Sequence, residues 1–254
     1  MASSQSSRAA GGRMLTSRRI TIREVLRADD PASGKAHDLI SRTFRKTELV
    51  GRGEWRRTLE EREAGFETDV RWHLVVAERA GTVIGVATGT YLADVNTGVI
   101  GYLAVARAAR RLGVGPKLRT RLRSLFRRDA RQVRREPLQA VVGEVRRGNP
   151  WLRTLVRRDG VLALDFGYFQ PRLRPGSRSI RLVLYYESLD RVRHRLPSAL
   201  IRNLLYTTWQ RIYRIGRPLS NPAFRRMLAE LDKRTSVGKL RLEDLPAYQN
   251  GNGH

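Results

Sequence analysis

Two glycines separated by one residue, Gly113 and Gly115, stand at the start of a predicted helix. The first backbone N–H groups of a helix have no partner within the helix, and the helix dipole adds partial positive charge there. Glycine has no side chain to keep an anion away from these groups, and Arg110, Arg111 and Lys117 add full charges. The stretch therefore predicts an anion site, of a size that suits a diphosphate, at a strand-to-helix junction.

Two other phosphate-binding motifs do not fit this stretch. The dinucleotide motif G-x-G-x-x-G needs a third glycine where Leu118 stands, and G-x-x-x-x-G-K-[ST] occurs nowhere in the chain. A simpler interpretation stays open, in which the glycines only let the loop turn and the arginines only face solvent.

Alternating and helical patterns of apolar residues predict the elements that position this loop. The predicted strands are 20–26, 73–78, 82–92, 99–105, 138–145, 162–166 and 179–186. The predicted helices are 32–47, 54–64, one beginning at Gly113, a short one beginning at Asn149, 197–215 and 221–234. This order predicts an α/β (α+β) fold, in which helices flank a mixed, twisted central sheet and a helical extension follows it.

The segment from Val105 to Gly115 resembles a motif of the GNAT (Gcn5-related) N-acetyltransferases, which reads V-x-P-x-x-R-G-x-G-x-G between a strand and a helix. Four positions are in register: Val105, Arg110, Gly113 and Gly115. Arg107 replaces the proline of the motif, and Arg111 replaces its first glycine. The predicted element order over 20–188 is also that of the family, so the resemblance covers about two-thirds of the chain.

The resemblance implies that acetyl-CoA is the cosubstrate and that no metal is used. Its pyrophosphate would be bound by Arg110, Arg111, Leu112, Gly113, Val114 and Gly115, and we add Lys117 and Asn149 to the predicted binding residues. The backbone of Leu103 and Val105 would pair with the pantetheine arm, and the N–H of Val105 would polarise the thioester carbonyl. A β-bulge of the family would separate strand 99–105 from strand 138–145 and open a slot for the cosubstrate.

In this family an amine attacks the thioester directly, so a group near the slot must take up a proton. Glu144, near the end of strand 138–145, is the first candidate, with a salt bridge to a neighbouring arginine as the alternative role. Asp94 and Glu78 are weaker candidates. The tyrosine that the family usually places in the next helix is missing, which leaves Tyr168 as the candidate acid, or solvent as the source of the proton.

The composition limits the remaining possibilities. The chain has 254 residues, no cysteine, four histidines and a formal net charge of +26. Disulfides and thiolate sites are excluded, and the charge predicts an anionic partner such as RNA, the ribosome or a membrane surface. Residues 105–136 carry twelve Lys and Arg against two acids, which favours either a solvated basic face or a binding face. A catalytically inactive GNAT-like scaffold that binds nucleic acid is therefore the alternative function.

The predicted organisation has four parts: a disordered basic tail 1–19, with a transit peptide as the alternative, a GNAT domain 20–189, a helical extension 190–246 and a disordered tail 247–254. Helix 197–215 has an apolar stripe that would dock on the core or on a second copy in a homodimer, or lie on a membrane. No apolar run reaches the roughly 18 residues of a membrane span, and we expect a cytoplasmic protein. The sequence does not indicate whether the acceptor amine belongs to a small molecule or a protein.

Overall fold

The computed structural model describes residues 19–66, 68–173 and 176–245. The tails predicted at 1–19 and 247–254 lie outside this part of the chain, apart from Arg19. Within the described residues, no helix combines the length and the apolar character needed to cross a bilayer.

A single large sheet forms the centre of the molecule. Its strands follow the order β1-β2-β3-β4-β5-β8-β6, and β7 pairs with β8 beside β6. β4 and β5 are parallel, whereas the other neighbours are antiparallel. The strands are β1 Thr21–Val25, β2 Val70–Arg79, β3 Thr82–Leu92, β4 Thr97–Val105, β5 Ala140–Val145, β6 Val161–Ala163, β7 Tyr168–Gln170 and β8 Ile180–Ser188. Two further strands, β9 Arg195–Pro197 and β10 Ser236–Gly238, pair with each other.

Helices cover both faces of the sheet, as the alternation of side chains along its strands requires. Val75 points toward the long helix α3, whereas Leu74 and Val76 point toward α1 and α2. The helices are α1 Pro31–Thr43, α2 Arg52–Glu63, α3 Val114–Val133, α4 Pro150–Arg157, α5 Ser198–Thr207 and α6 Pro222–Asp232. The predicted fold class, a mixed central sheet flanked by helices, is confirmed.

Three predicted elements differ in detail from the structure. The first helix ends at Thr43, and Lys46–Glu48 forms a separate 3₁₀ turn. The strand predicted at 162–166 is the shorter β6, Val161–Ala163, and the sequence did not predict β7, which pairs with a different part of β8. Strands of three residues are too short for an alternating pattern to define them. Helix 197–215 is α5 followed by a π-helical segment, Thr208–Ile212.

The C-terminal extension packs on the sheet of its own chain. Ile201, Leu204 and Trp209 are buried in one hydrophobic cluster with Leu92 and Val99, which lie on β3 and β4. The docking of its apolar stripe on the core is confirmed. Because the same stripe is buried, it is not free to lie on a membrane.

Candidate functional site

The two parallel strands at the centre of the sheet separate halfway along their length. β4 and β5 pair only over Thr97–Ile100 with Ala140–Gly143, although β4 continues to Val105. The register of β3 with β4 shifts at the same place, where the Tyr102 N–H donates to the Thr88 hydroxyl (3.0 Å) instead of a backbone carbonyl. This β-bulge opens a gap in the sheet, and Gly101, in the middle of a central strand, is exposed there.

The backbone of β4 turns hydrogen-bonding groups toward this gap. The Ala106 N–H donates to the Ile84 carbonyl at 2.9 Å on the β3 side. Since N–H groups alternate between the two sides of a strand, the N–H groups of Leu103 and Val105 face away from β3 and toward the gap. Their predicted contacts with pantetheine and with the thioester carbonyl stay predictions, but the orientation suits both.

The loop before α3 has the backbone shape that an anion cradle requires. Gly113 caps the helix with φ of +69°, and Arg111, where the motif has glycine, is also left-handed at +70°. Among the described residues no acceptor is bound by the N–H groups of Gly113, Val114 and Gly115. Three adjacent donors at a helix start are therefore without a partner in the part of the chain that the structure describes.

Gly115 is not required by the packing of the fold. A Cβ at this position would meet only the side chains of Leu103 and Val105, both at the ordinary contact distance of 3.8 Å. A side chain there would instead fill the space in front of the free N–H groups. The residues predicted to hold the pyrophosphate of acetyl-CoA therefore fit an anionic group, because packing does not explain the glycine and the N–H groups beside it have no described partner.

The cations beside this loop are also free. Arg110, Arg111 and Lys117 are exposed, and none has an acidic partner in the part of the chain that the structure describes. Arg119 and Arg123, one and two turns further along α3, instead turn inward to Glu187. The basic face predicted over 105–136 is therefore partly an internal ion-pair network. Its exposed cations without an acidic partner among the described residues lie at the loop and also further along the helix, at Arg121, Arg127 and Arg131.

Glu144 occupies the first position of β5 beyond its last pair with β4. Its Oε1 accepts hydrogen bonds from the hydroxyls of Tyr168 and Tyr213, the second at 2.6 Å. Burial raises the pKa of the Glu144 carboxyl above its ordinary value, and these two hydrogen bonds oppose that shift. The alternative role predicted for Glu144 is a salt bridge to an arginine, and no described arginine forms one with it.

Tyr213 is a site residue that the sequence interpretation missed. It follows the π-helical segment Thr208–Ile212 directly, and π-helical turns often occur at functional sites. The amphipathic pattern of 197–215 had placed it on the apolar stripe, where a tyrosine is unremarkable. Burial raises the pKa of the hydroxyls of Tyr168 and Tyr213 well above their usual value, so both remain protonated donors to Glu144.

A cleft of about 1140 Å³ opens onto Glu144 from the face of the sheet that carries α2. Its walls are α2 and the extension at 210–214, and it reaches Gly101 and Tyr102 at the bulge. Aromatic side chains contribute much of the lining: Trp55, Trp72, Tyr102 and Tyr213. Tyr168 is buried behind Glu144 and is not part of the lining.

Ion pairs connect the two walls at the mouth of the cleft. Arg211, on the extension, pairs with Asp69, just before β2. Arg214 lies 3.7 Å from Glu54 and 4.0 Å from Glu61, both on α2. The extension is therefore one wall of the site as well as a part of the core.

Three other candidate residues lie outside the cleft. Glu78 accepts a hydrogen bond from Arg23 at 2.7 Å, and Asp94 is an exposed side chain 3.9 Å from Arg211. Neither is placed to take a proton at the gap, which corrects the two weaker predictions. Asn149 caps α4 by accepting from the Trp151 N–H (3.0 Å), and its predicted contact with the cosubstrate stays a prediction.

Comparison with known proteins agrees with this geometry. Residues 36–136 match the model of the acetyltransferase (GNAT) family, whereas no curated protein matches the chain. A GNAT-family protein from Bacteroides thetaiotaomicron superposes with a TM-score of 0.54 at 14% identity, over 76% of this chain and 98% of that chain. This similarity shows that the chain has the GNAT fold.

Two further structures are similar at lower scores. A Salmonella typhimurium protein solved with acetyl-CoA has a TM-score of 0.47 at 19% identity, over 68% of this chain and 95% of its own. The PaiA N-acetyltransferase of Thermoplasma acidophilum, in complex with coenzyme A, has a TM-score of 0.44 at 13% identity. The match covers 67% of this chain and 99% of that one.

Proposed function

We propose that this protein transfers the acetyl group of acetyl-CoA to a primary amine, since residues 36–136 match the model of the acetyltransferase (GNAT) family. The observation that carries the proposal is the meeting of two sites at one gap in the sheet. The free N–H groups before α3 and the edge of β4 lead to this gap from one side. The cleft with Glu144 reaches it from the other side.

The anion loop would bind the cosubstrate through its diphosphate. The N–H groups of Gly113, Val114 and Gly115 would donate to phosphate oxygens, and Arg110 and Lys117 would add charge. The N–H groups of Leu103 and Val105 would pair with the pantetheine arm, and that of Val105 would stabilise the negative charge that develops on the carbonyl oxygen. Arg111 would add charge as well. The predicted contact of Leu112 stays a prediction, since its N–H already donates to the Ala109 carbonyl at 3.4 Å.

Glu144 would act as the base. A primary amine is protonated at neutral pH, so its ammonium must first give one proton to the carboxylate of Glu144. The amine nitrogen then forms a bond to the carbonyl carbon, and the carbon–sulfur bond breaks. The second proton leaves the nitrogen and goes to the departing thiolate, which gives an amide and coenzyme A.

Two tyrosine hydroxyls would hold the base in place. Tyr168 was predicted as the general acid, and this role stays a prediction. Its hydroxyl is buried and already donates to Glu144, which favours a role in positioning the carboxylate. The thiolate then needs no acid from the protein, because solvent can carry to it the second proton that leaves the nitrogen.

The first experiment is a thermal melt with and without acetyl-CoA. A ligand at 100 times its dissociation constant adds about 2.7 kcal/mol, which for a chain of this size raises the melting temperature by about 5–10 °C. We expect this shift in the wild type and its loss in Gly115→Glu, since a carboxylate would occupy the diphosphate position. Gly115 is preferable to Gly113, where any side chain strains a left-handed backbone.

Gly216→Glu is the matched control, because a Cβ at Gly216 also meets nothing within 4 Å and the charge change is the same. It should keep the full shift. A folded wild type that does not respond to acetyl-CoA would contradict the proposal. Salt-sensitive RNA binding would then support the alternative of an inactive scaffold. The anionic partner and the homodimer through the extension both stay predictions.

A further inference from the structure

Gln170 is a buried polar side chain in the lining of the cleft. Its amide nitrogen donates a hydrogen bond, whereas its amide oxygen accepts none from the described part of the chain. It lies on β7 and is 9% exposed. Its Nε2 donates to the Tyr213 hydroxyl at 3.2 Å. Its Oε1 is buried and has no donor among the described residues.

The orientation of this amide is fixed by its neighbours. A tyrosine hydroxyl has one hydrogen, and that of Tyr213 is donated to Glu144 at 2.6 Å. Tyr213 can therefore only accept from Gln170, so the nitrogen of the amide must face it. The oxygen without a donor is thus a property of the network and not of an arbitrary choice between the two amide atoms.

A second acceptor oxygen without a donor lies in the same network. Tyr168 and Tyr213 both donate to Oε1 of Glu144, and no described residue donates to its Oε2. Glu144 and Gln170 share the Tyr213 hydroxyl, so their polar ends occupy the same corner of the cleft. Of the two oxygens, the one on Gln170 is buried, and a buried acceptor without a donor is unfavourable. Such a group commonly marks a place where a ligand supplies the donor.

The charges around the cleft single out this corner. The other acids in the lining, Glu54, Glu61 and Asp69, are each within 4.0 Å of an arginine. Among the described residues, Glu144 is the lining acid without an arginine partner, so no described cation pairs with its carboxylate. The aromatic walls beside it offer apolar surface and ring faces that attract a cation.

We propose that Glu144 and Gln170 form the acceptor subsite, and that the acceptor is a primary ammonium on an apolar carrier. This inference rests on the proposed function, which already names a primary amine. It adds the second residue that binds the ammonium, Gln170, and the apolar carrier. The ammonium has three N–H donors, so it can donate to Oε2 of Glu144 and to Oε1 of Gln170 at the same time. A carboxylate or phosphate group would instead place its own acceptor oxygens against the acceptor oxygens of Glu144 and Gln170.

The test is a binding measurement by calorimetry on the full chain saturated with coenzyme A, which prevents turnover. Three probes of similar size differ in one group: 2-phenylethylamine, 2-phenylethanol and 3-phenylpropanoate. We expect the amine to bind at least tenfold more tightly than the alcohol or the carboxylate. Equal or tighter binding of either of these would overturn the assignment of an ammonium acceptor.

Variants at Gln170 separate its contribution from that of Glu144. Gln170→Met, of similar length but without an acceptor oxygen, should weaken amine binding about tenfold and leave binding of the alcohol within twofold. Gln170→Glu keeps an acceptor oxygen, so this variant should bind the amine at least as tightly as the Gln170→Met variant does. Gln139→Met, at an exposed glutamine, is the matched control and should behave like the wild type.

Unchanged amine binding in Gln170→Met would overturn the role of Gln170. The melting shift with coenzyme A is measured for every variant, so a misfolded protein is recognised by the loss of that shift. If the wild type itself shows no shift, the proposed function fails before the acceptor subsite is tested. If the shift is present and the amine is not preferred, only the acceptor subsite fails.

Discussion

The anion loop and the acceptor cleft meet at the same gap, yet they are built in opposite ways. The loop is made of neighbours in sequence, from Arg110 to Lys117. The cleft joins α2, β4, β5, β7 and the C-terminal extension, and its central hydrogen bond connects Glu144 to a residue 69 positions away, Tyr213. A local site can be recognised in the sequence, whereas a site made by tertiary contacts becomes visible only in the folded chain.

The two sites also differ in how their polar groups are satisfied. The cations of the loop are exposed, and its three N–H groups have no partner among the described residues. One oxygen of Glu144, Oε1, accepts from two tyrosine hydroxyls inside the protein, and burial raises the pKa of the carboxyl. Changes at the loop should therefore alter binding with little effect on stability, whereas changes in the cleft should alter both.

The largest expected effect is the loss of the base. Glu144→Gln should lower kcat by roughly 100- to 10,000-fold, the usual contribution of a general base. Binding of acetyl-CoA should be unchanged, since the loop is untouched. Steady-state kinetics and the melting shift measure the two quantities, with Glu60→Gln, at an exposed acid of α2, as the control. A loss of acetyl-CoA binding in Glu144→Gln would contradict the separation of the two sites.

The same substitution should make the protein more stable near neutral pH. Glutamine keeps an oxygen that accepts from both tyrosines, but it carries no buried charge. Because the folded state raises the pKa of Glu144 above its ordinary value of 4.5, the wild type loses stability as the pH rises from there through the raised pKa. Melting temperatures of the two proteins should agree near pH 4 and diverge toward pH 7, with the variant higher. If the difference between the two melting temperatures were the same at every pH, the titration of Glu144 would not affect stability, which would contradict this prediction.

The sequence was sufficient to predict the loop, most elements of the sheet and Glu144. Val105, Gly113 and Gly115 belong to one motif, and Glu144 ends a strand of clear apolar pattern. The sequence could not indicate that Tyr213 reaches Glu144. That contact depends on α5 docking on the sheet and on a π-helical segment, and neither changes the amphipathic pattern. Gln170 was missed for a similar reason, since it lies on a three-residue strand, which is too short to show an alternating pattern of apolar and polar residues.

Removal of one tyrosine hydroxyl should have an intermediate effect. Tyr213→Phe removes a hydrogen bond that lowers the pKa of Glu144, so the acid limb of the pH profile of kcat/KM should move to higher pH. A hydrogen bond to a charged group contributes about 1.5–3 kcal/mol, so we expect a loss of at least tenfold in kcat/KM below that limb. Tyr206→Phe, an exposed position on the same extension, is the control. An acid limb that stays in place would show that Tyr213 only fills space.

The smallest expected effect concerns the loop, where Arg111 has a left-handed backbone that glycine adopts without strain. Arg111→Gly relieves a strain of about 1–2 kcal/mol, and the greater freedom of glycine in the unfolded chain offsets about 0.5–1 kcal/mol of that gain. The melting temperature without ligand should rise by about 1–4 °C. At the same time one cation near the diphosphate is lost, so acetyl-CoA should bind a few-fold more weakly and with less dependence on salt.

Arg135 gives this last measurement its control, because it is also exposed and left-handed, with φ of +57°, but lies beyond the opposite end of α3. Arg135→Gly should raise the melting temperature by a similar amount and leave acetyl-CoA binding unchanged. If both variants weaken binding equally, the effect is one of overall charge and the loop has no special role. If only Arg111→Gly does so, the arginine at the glycine position of the motif contributes charge to the anion site at the expense of backbone strain.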